Sequence, residues 1–315
     1  MKTLRRILKI LGIALLSVLV LIVIAALLAK YVFWEQLVEH AMDYSERMEL
    51  LHTCRPYEKD TVEYTFTYKA DSAWAKRTRE YFQLDTLFSD EDDTWTRTLA
   101  VARFVSRSIP HANQTVYPAQ SNAIALWEYT LDVEPAFNCR LHSIMLHEML
   151  LSLGITNRFV TCQPFEDTGN DCHVVNVVWL PEYHKWAMID SDMRAWATVP
   201  DAGGADDDIP LSLQEMRAMY VAGRPVEFHD LLGEQRDFVG YKVYWSKNLY
   251  WFECWEDTGY DRETLSESGE WSFTGTPDRG RVVVLVPPGF SNKFIHQECS
   301  AITTDDAGFW AAPVQ

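Results

Sequence analysis

Positive charge is scarce in this 315-residue chain: 28 Lys and Arg stand against 45 Asp and Glu, a formal charge of -17. That balance excludes nucleic acid as the expected partner, because neutralising phosphates takes concentrated cationic side chains. Short metal-binding spacings are missing too. None of the six cysteines forms a C-x-x-C pair, which argues against the common structural zinc frameworks. The acidic runs Asp90-Glu91-Asp92-Asp93 and Asp206-Asp207-Asp208 lack the alternating ligands and central glycine of an EF-hand loop, so they read as solvated loops. Aromatics, by contrast, are plentiful. Twelve Trp, fourteen Tyr and fifteen Phe in a chain that is 48% hydrophobic favour a packed globular body, one large domain or a medium domain with a smaller module.

The N-terminus carries one long apolar run. Lys2, Arg5, Arg6 and Lys9 precede an uncharged stretch from Ile10 to Ala29, long enough as a helix to match a hydrocarbon core of roughly 30 Å. Basic residues ahead of the span predict a cytoplasmic N-terminus and an extracytoplasmic body, with Tyr31, Phe33 and Trp34 at the interface. A cleaved signal peptide is the alternative. The stretch is longer than the usual apolar region, and its small residues are not at A-x-A spacing, so an uncleaved anchor in the cytoplasmic membrane is the expectation. An oxidising compartment would permit disulfides among Cys54, Cys139, Cys162, Cys172, Cys254 and Cys299 without requiring them.

Beyond the anchor, Trp34 to about Leu51 reads as an amphipathic helix. Thr61–Tyr68 alternates strictly, with Val62, Tyr64, Phe66 and Tyr68 on one face, and reads as a strand. Asp71 or Ser72 caps a predicted helix through Phe82, and Asp93 precedes another to about Ser106. After a loop bracketed by Pro110 and Pro118, Asn122 opens a short helix. Asn138 is a good N-cap for a helix beginning at Cys139, with Leu141, Ile144, Met145, Met149 and Leu153 at helical spacing and Gly154 as its stop. Strands follow at Phe159–Cys162, Cys172–Leu180 and Lys185–Asp190, the last two joined by the turn Pro181-Glu182-Tyr183-His184. One helix followed by an antiparallel meander is an α+β arrangement. Thr198–Pro210 is Gly- and Asp-rich and reads as a loop, and Leu211–Ala222 as a helix. Tyr241–Trp251, Trp271–Phe273 and Arg281–Val286 read as β-like. The expected division is an anchor over 1–30, a juxtamembrane helix and strand region over 31–92, a catalytic domain over 93–238 and a β-rich C-terminal extension over 239–315.

Three of these residues are suited to acyl transfer. A cysteine acts as its thiolate, and the free thiol titrates at roughly 8.5. Cys139 stands in the first helical turn, where unpaired N–H groups favour an anion and can also hold an oxyanion. If the turn pairs Leu180 with Lys185, then Val175 pairs with Asp190, and His173, Asp190 and Asp192 share one sheet face. A carboxylate diagonal to His173 can fix the imidazole tautomer and stabilise the imidazolium.

The stretches Asn138-Cys139-Arg140-Leu141-His142 and Ser152-Leu153-Gly154-Ile155-Thr156-Asn157-Arg158 resemble the nucleophile helix of the transglutaminase-like superfamily, a papain-like cysteine-catalysis fold. Asp171-Cys172-His173-Val174-Val175-Asn176 and Lys185-Trp186-Ala187-Met188-Ile189-Asp190-Ser191-Asp192 look like its histidine and aspartate strands, so the match spans roughly Trp95 to Asp192. The resemblance implies a nucleophile helix packed on an antiparallel sheet. Cys139 would be the nucleophile, His173 the general base and acid, and Asp190 the orienting carboxylate. It does not settle the reaction, since the superfamily holds cross-linkers, peptidases, amidases and inactive relatives. Two departures stand out: Phe137 where such domains often carry glycine, and Val175 and Asn176 where an aromatic and an acid are common.

The site residues carry alternative readings as well. Gln114 and Gln120 are candidate oxyanion donors by position in the preceding loop, and His142 and His147 read as packing or surface residues. Cys162 and Cys172 could form a hairpin disulfide. A zinc site from Cys162, Cys172 and His173 would consume the base, so neither metal nor cofactor is expected. The function expected is a membrane-anchored thiol peptidase, amidase or acyltransferase acting on a peptide or protein substrate. The alternatives are a catalytically lapsed peptide-binding or scaffolding module and a purely structural envelope protein.

Overall fold

The computed structural model describes residues 2–68, 72–166, 171–200, 209–264, 280–295 and 300–314. Asp71, Asp206-Asp207-Asp208, Trp271–Phe273 and Cys299 lie outside them, as does most of the Gly- and Asp-rich loop. The described residues form a mixed α+β structure with ten α-helices and a six-stranded sheet. Helix α1 (Lys2–Tyr31) has no buried residue and a mean hydropathy of 3.2 over its most apolar window. It is long and apolar enough to span a membrane or to act as a signal anchor.

The single helix expected after Trp34 is two, α2 (Trp34–Ala41) and α3 (Tyr44–Thr53), because Asp43 between them takes a left-handed conformation at φ 54°. The pair leans on α9 (Val239–Asn248): Lys242 Nζ meets Glu35 at 2.8 Å and Glu39 at 3.5 Å. Thr61–Tyr68 is not a strand. One isolated bridge, Thr67 to Asp257, is all the pairing it makes among the described residues. Its alternation comes from Tyr64 and Phe66 packing inward, while the Thr65 N–H donates to the Glu256 side chain, so no ladder forms. α4 (Ser72–Phe82), α5 (Thr94–Ser108) and α6 (Ala123–Asp132) match expectation. Asp93 and Asn122 cap α5 and α6 by accepting from the N–H groups of Thr96 and Ala125.

α7 (Cys139–Ser152) is the centre of the molecule. Asn138 Oδ1 accepts from the Leu141 N–H at its start, and Gly154, at φ 75°, supplies the left-handed residue at its end. Every residue from Arg140 to Ser152 is buried. One face lies on β1 (Asn157–Gln163) and β2 (His173–Leu180), and α4, α5 and α6 cover the rest. β3 (Lys185–Ile189) pairs with β2 in the predicted register, Leu180 opposite Lys185 and Asn176 opposite Ile189. β4 (Ala195–Thr198) and β5 (Glu227–Asp230) form a separate two-stranded sheet. α8 (Leu213–Val221) opens with a capping box between Ser212 and Glu215.

The tail departs from its β-like reading at the first element. Tyr241–Trp251 is mostly α9, with Tyr241, Val243, Trp245, Ser246, Lys247 and Asn248 all buried. A helix buried on most sides shows no amphipathic period, and its aromatic residues mimic strand composition. β6 (Trp251–Trp255), β7 (Val282–Leu285) and β8 (Ser300–Thr303) then join the main sheet, whose order is β3-β2-β1-β6-β7-β8. All neighbours run antiparallel except β7 and β8. α10 (Asp306–Phe309) closes the described chain against Arg158. That guanidinium has no carboxylate partner among the described residues: it lies between the rings of Phe66, Trp186, Phe309 and Trp310, and its Nη2 donates to the Phe309 carbonyl at 2.7 Å.

Candidate active site

Cys139, His173 and Asp190 meet where the start of α7 faces the ends of β2 and β3. The half-buried Cys139 leads its helix, and the N–H groups of a first turn have no intrahelical acceptor. His173 is the first residue of β2, directly opposite Cys162 of β1. Asp190 follows β3 and starts a tight turn: its N–H and C=O both pair with Ala195, and its Oδ1 accepts from the Met193 N–H at 2.9 Å. That local bond fixes the carboxylate and aims Oδ2 at His173 Nε2, 2.6 Å away. The Tyr241 hydroxyl donates to the same Oδ2 at 2.7 Å. With Nε2 taken by Asp190, Nδ1 is the ring nitrogen left to face the Cys139 thiol, whose sulfur lies within 4.8 Å of a ring nitrogen of His173.

Burial sets the electrostatics. The side chains of His173 and Asp190 are 3% and 1% exposed. Desolvation alone would push the His173 pKa down. The charge and hydrogen bond of Asp190, with Cys139 beside it, outweigh that effect and take it up to about 10. Burial would likewise raise Asp190, but the imidazole, Tyr241 and the Met193 N–H hold it below the usual carboxylate range. The imidazole edge is packed by Tyr241, Tyr244 and Trp245 of α9, with ring centroids 6.3, 5.3 and 5.4 Å away. These aromatics orient the ring and keep water from its Asp190 side. Sequence reasoning missed them, because α9 is buried on most sides and its aromatic content reads as strand-like.

A second histidine–carboxylate pair lies alongside. His111 Nδ1 contacts Asp192 Oδ1 at 2.8 Å, its side chain 53% exposed while that of Asp192 is 2% exposed. His142 Nε2 stands 3.5 Å from the same oxygen and, being buried, has its pKa lowered. Cys139 Sγ, a ring nitrogen of His173 and a carboxylate oxygen of Asp192 lie within 4.8 Å of one another. Asp192 arrives from the turn after β3 rather than from the sheet face expected of it, because the β2–β3 ladder ends at Asn176 opposite Ile189. His111 carried no signal in the sequence, because 81 positions separate it from Asp192.

The remaining candidates are brought elsewhere. Gln114 spends its amide N–H groups on the carbonyls of Ala112 and Ala136, at 2.8 and 2.7 Å, and accepts from the Asn138 N–H, so it braces the α7 entry rather than facing a substrate. Gln120 is exposed. Cys162 and Cys172 are free thiols, and burial pushes Cys172 up to about 12 and Cys162 well above its ordinary value. Phe137 does not narrow the cleft: fully buried, it packs on Tyr129 and the His142 ring. Asn176 ties β2 to α7 by donating to the Ser143 carbonyl at 2.9 Å. His147, read as packing or surface, is packing, held by Asn157 and the Thr258 carbonyl at 2.8 Å each.

No protein-family model and no curated protein matches the chain. Among solved structures, one from Cytophaga hutchinsonii, described provisionally as a cysteine protease, aligns at 14% identity over 39% of this chain with a TM-score of 0.31. The chain spans 40% of that protein's length.

Proposed function

We propose that the chain is a membrane-anchored cysteine peptidase or amidase of papain-like, transglutaminase-like design, facing the extracytoplasmic side and acting on envelope peptides. One observation carries the reading: His173 lies between the Asp190 carboxylate, 2.6 Å from Nε2, and the thiol at the head of α7, within 4.8 Å of a ring nitrogen. In this mechanism His173 takes the thiol proton and Cys139 attacks a peptide or carboxamide carbonyl. The oxyanion settles toward the first-turn N–H groups of α7. The proton on His173 then passes to the leaving amine, leaving an acyl-enzyme. Water, deprotonated by the same imidazole, releases the acid; an amine in its place would give transamidation. Asp190 stays ionised throughout and stabilises the imidazolium. The features that favoured a lapsed site, Phe137 and the altered histidine strand, are spent on packing.

A thiol-reactive peptide probe followed by mapping of the labelled cysteine tests the reading. Cys139 is expected to label near neutral pH far faster than in the denatured chain, and Cys139→Ala to abolish both labelling and peptide hydrolysis. Labelling no faster than in the denatured control sinks it.

A further inference from the structure

We propose that the triangle of Cys139, His173 and Asp192 is a reversible zinc site whose occupation switches the nucleophile off. The three ligand atoms lie within 4.8 Å of one another. Ligands of a tetrahedral zinc ion stand about 3.5 Å apart, so rotations closing the triangle by about 1 Å complete the set. The donor types decide the metal: a thiolate, an imidazole and one carboxylate suit zinc, whereas calcium and magnesium demand oxygen. Three protein ligands leave the fourth position for water or substrate.

Each ligand is already held from behind, as metal ligands require. Asp190 accepts from His173 Nε2 at 2.6 Å, which leaves the other nitrogen for the ion. His111 grips Asp192 Oδ1 at 2.8 Å, which leaves Oδ2 to coordinate. Cys139 is set by the Asn138-capped start of α7. The charges also balance, since a thiolate, a carboxylate and a neutral imidazole match one divalent ion. The proton shared by Cys139 and His173 leaves to solvent as the ion enters. This site differs from the Cys162–Cys172–His173 set weighed from sequence, because Cys162 is fully buried and Asp192 takes its place.

The test uses the full chain in detergent micelles and follows alkylation of Cys139 by iodoacetamide during titration with zinc chloride, with magnesium chloride as control. Micromolar free zinc is expected to slow alkylation at least about tenfold and magnesium not at all. Asp192→Asn, referred to its own metal-free rate, is expected to raise the zinc concentration needed by at least about tenfold. Cobalt(II) supplies a second reading, a sulfur-to-metal absorption band present in the native chain and lost in Cys139→Ala. Zinc protection that is absent, or that Asp192→Asn leaves unchanged, overturns the proposal. Slow metal-free alkylation counts against the enzymatic reading alone, because the cobalt band still decides the metal site.

Discussion

Two histidine–carboxylate pairs occupy neighbouring positions, one sealed and one open. His173 and Asp190 are almost wholly buried, whereas His111 reaches solvent with half its side chain while its partner Asp192 is buried. The contact distances are similar, 2.6 and 2.8 Å, so distance does not separate the pairs. Surroundings do. The sealed pair is walled by three aromatic rings of α9 and has the Tyr241 hydroxyl on its carboxylate, so its charges interact with little screening. The open imidazole is solvated, and water discounts its attraction. A pair of the first kind can hold an imidazolium beside a thiolate; the second kind can only position its neighbour.

The largest expected effect sharpens that contrast. Asp190→Asn keeps the shape of the turn but removes the charge that stabilises the imidazolium, and turnover should fall by about 10⁴-fold, read as kcat on a peptide substrate. Retained turnover would mean that the sealed pair is structural. A third buried pair, incapable of proton transfer at ordinary pH, is the control. Arg140 grips Glu263 through both Nε and Nη2, and Trp255 Nε1 donates to the same carboxylate at 2.8 Å. Glu263→Gln should cost about 3–5 kcal/mol of unfolding free energy, because it removes the charge that grips a buried guanidinium through two of its nitrogens. Replacing both partners with apolar residues of similar volume should recover much of that loss in a denaturant titration.

Glu148 breaks the pattern from the opposite direction, as a buried carboxyl with no cationic partner among the described hydrogen bonds. Its oxygens accept from the N–H groups of Ala123 and Asp261 at 2.6 Å each, yet burial raises its pKa to about 8. The folded state therefore keeps a proton that the unfolded chain gives up near the ordinary carboxyl value of 4.5. Stability from this group falls as pH rises from that value to about 8 and levels off above it. Glu148→Ala should lower stability by about 2–3 kcal/mol through its two lost hydrogen bonds, and should also flatten that decline. Denaturant midpoints measured across this range test both; an unchanged slope in the variant would refute the assignment.

What the sequence made legible follows from range. The start of α7 was readable because Asn138, Cys139 and Gly154 act within one or two turns. The β2–β3 register was readable because a four-residue turn leaves little freedom and the alternation of both strands must agree. Where the deciding contact is tertiary, local patterns misled. Tyr241 and Trp245 look like strand residues until β2 and the α2–α3 pair are placed around them. Thr61–Tyr68 alternates because one side packs, while the Thr65 N–H finds a glutamate side chain and the pairing stops at one isolated bridge. His111 is invisible for the same reason, as only the folded chain brings it to Asp192.

The smallest effect belongs to the open pair, and it is the sharpest test of the contrast. His111→Gln removes an imidazole that is half in water, so the direct loss should stay within about 1 kcal/mol. Asp192 is buried, however, and its Oδ1 loses a donor unless the glutamine amide reaches it. Gln should therefore be milder than Ala, which leaves that oxygen relying on His142, 3.5 Å away. If burial rather than pairing governs this region, both variants should retain most peptide turnover and differ chiefly in melting temperature. A turnover loss in His111→Gln approaching that of Asp190→Asn would instead place the open imidazole in the proton path and erase the distinction between the two pairs.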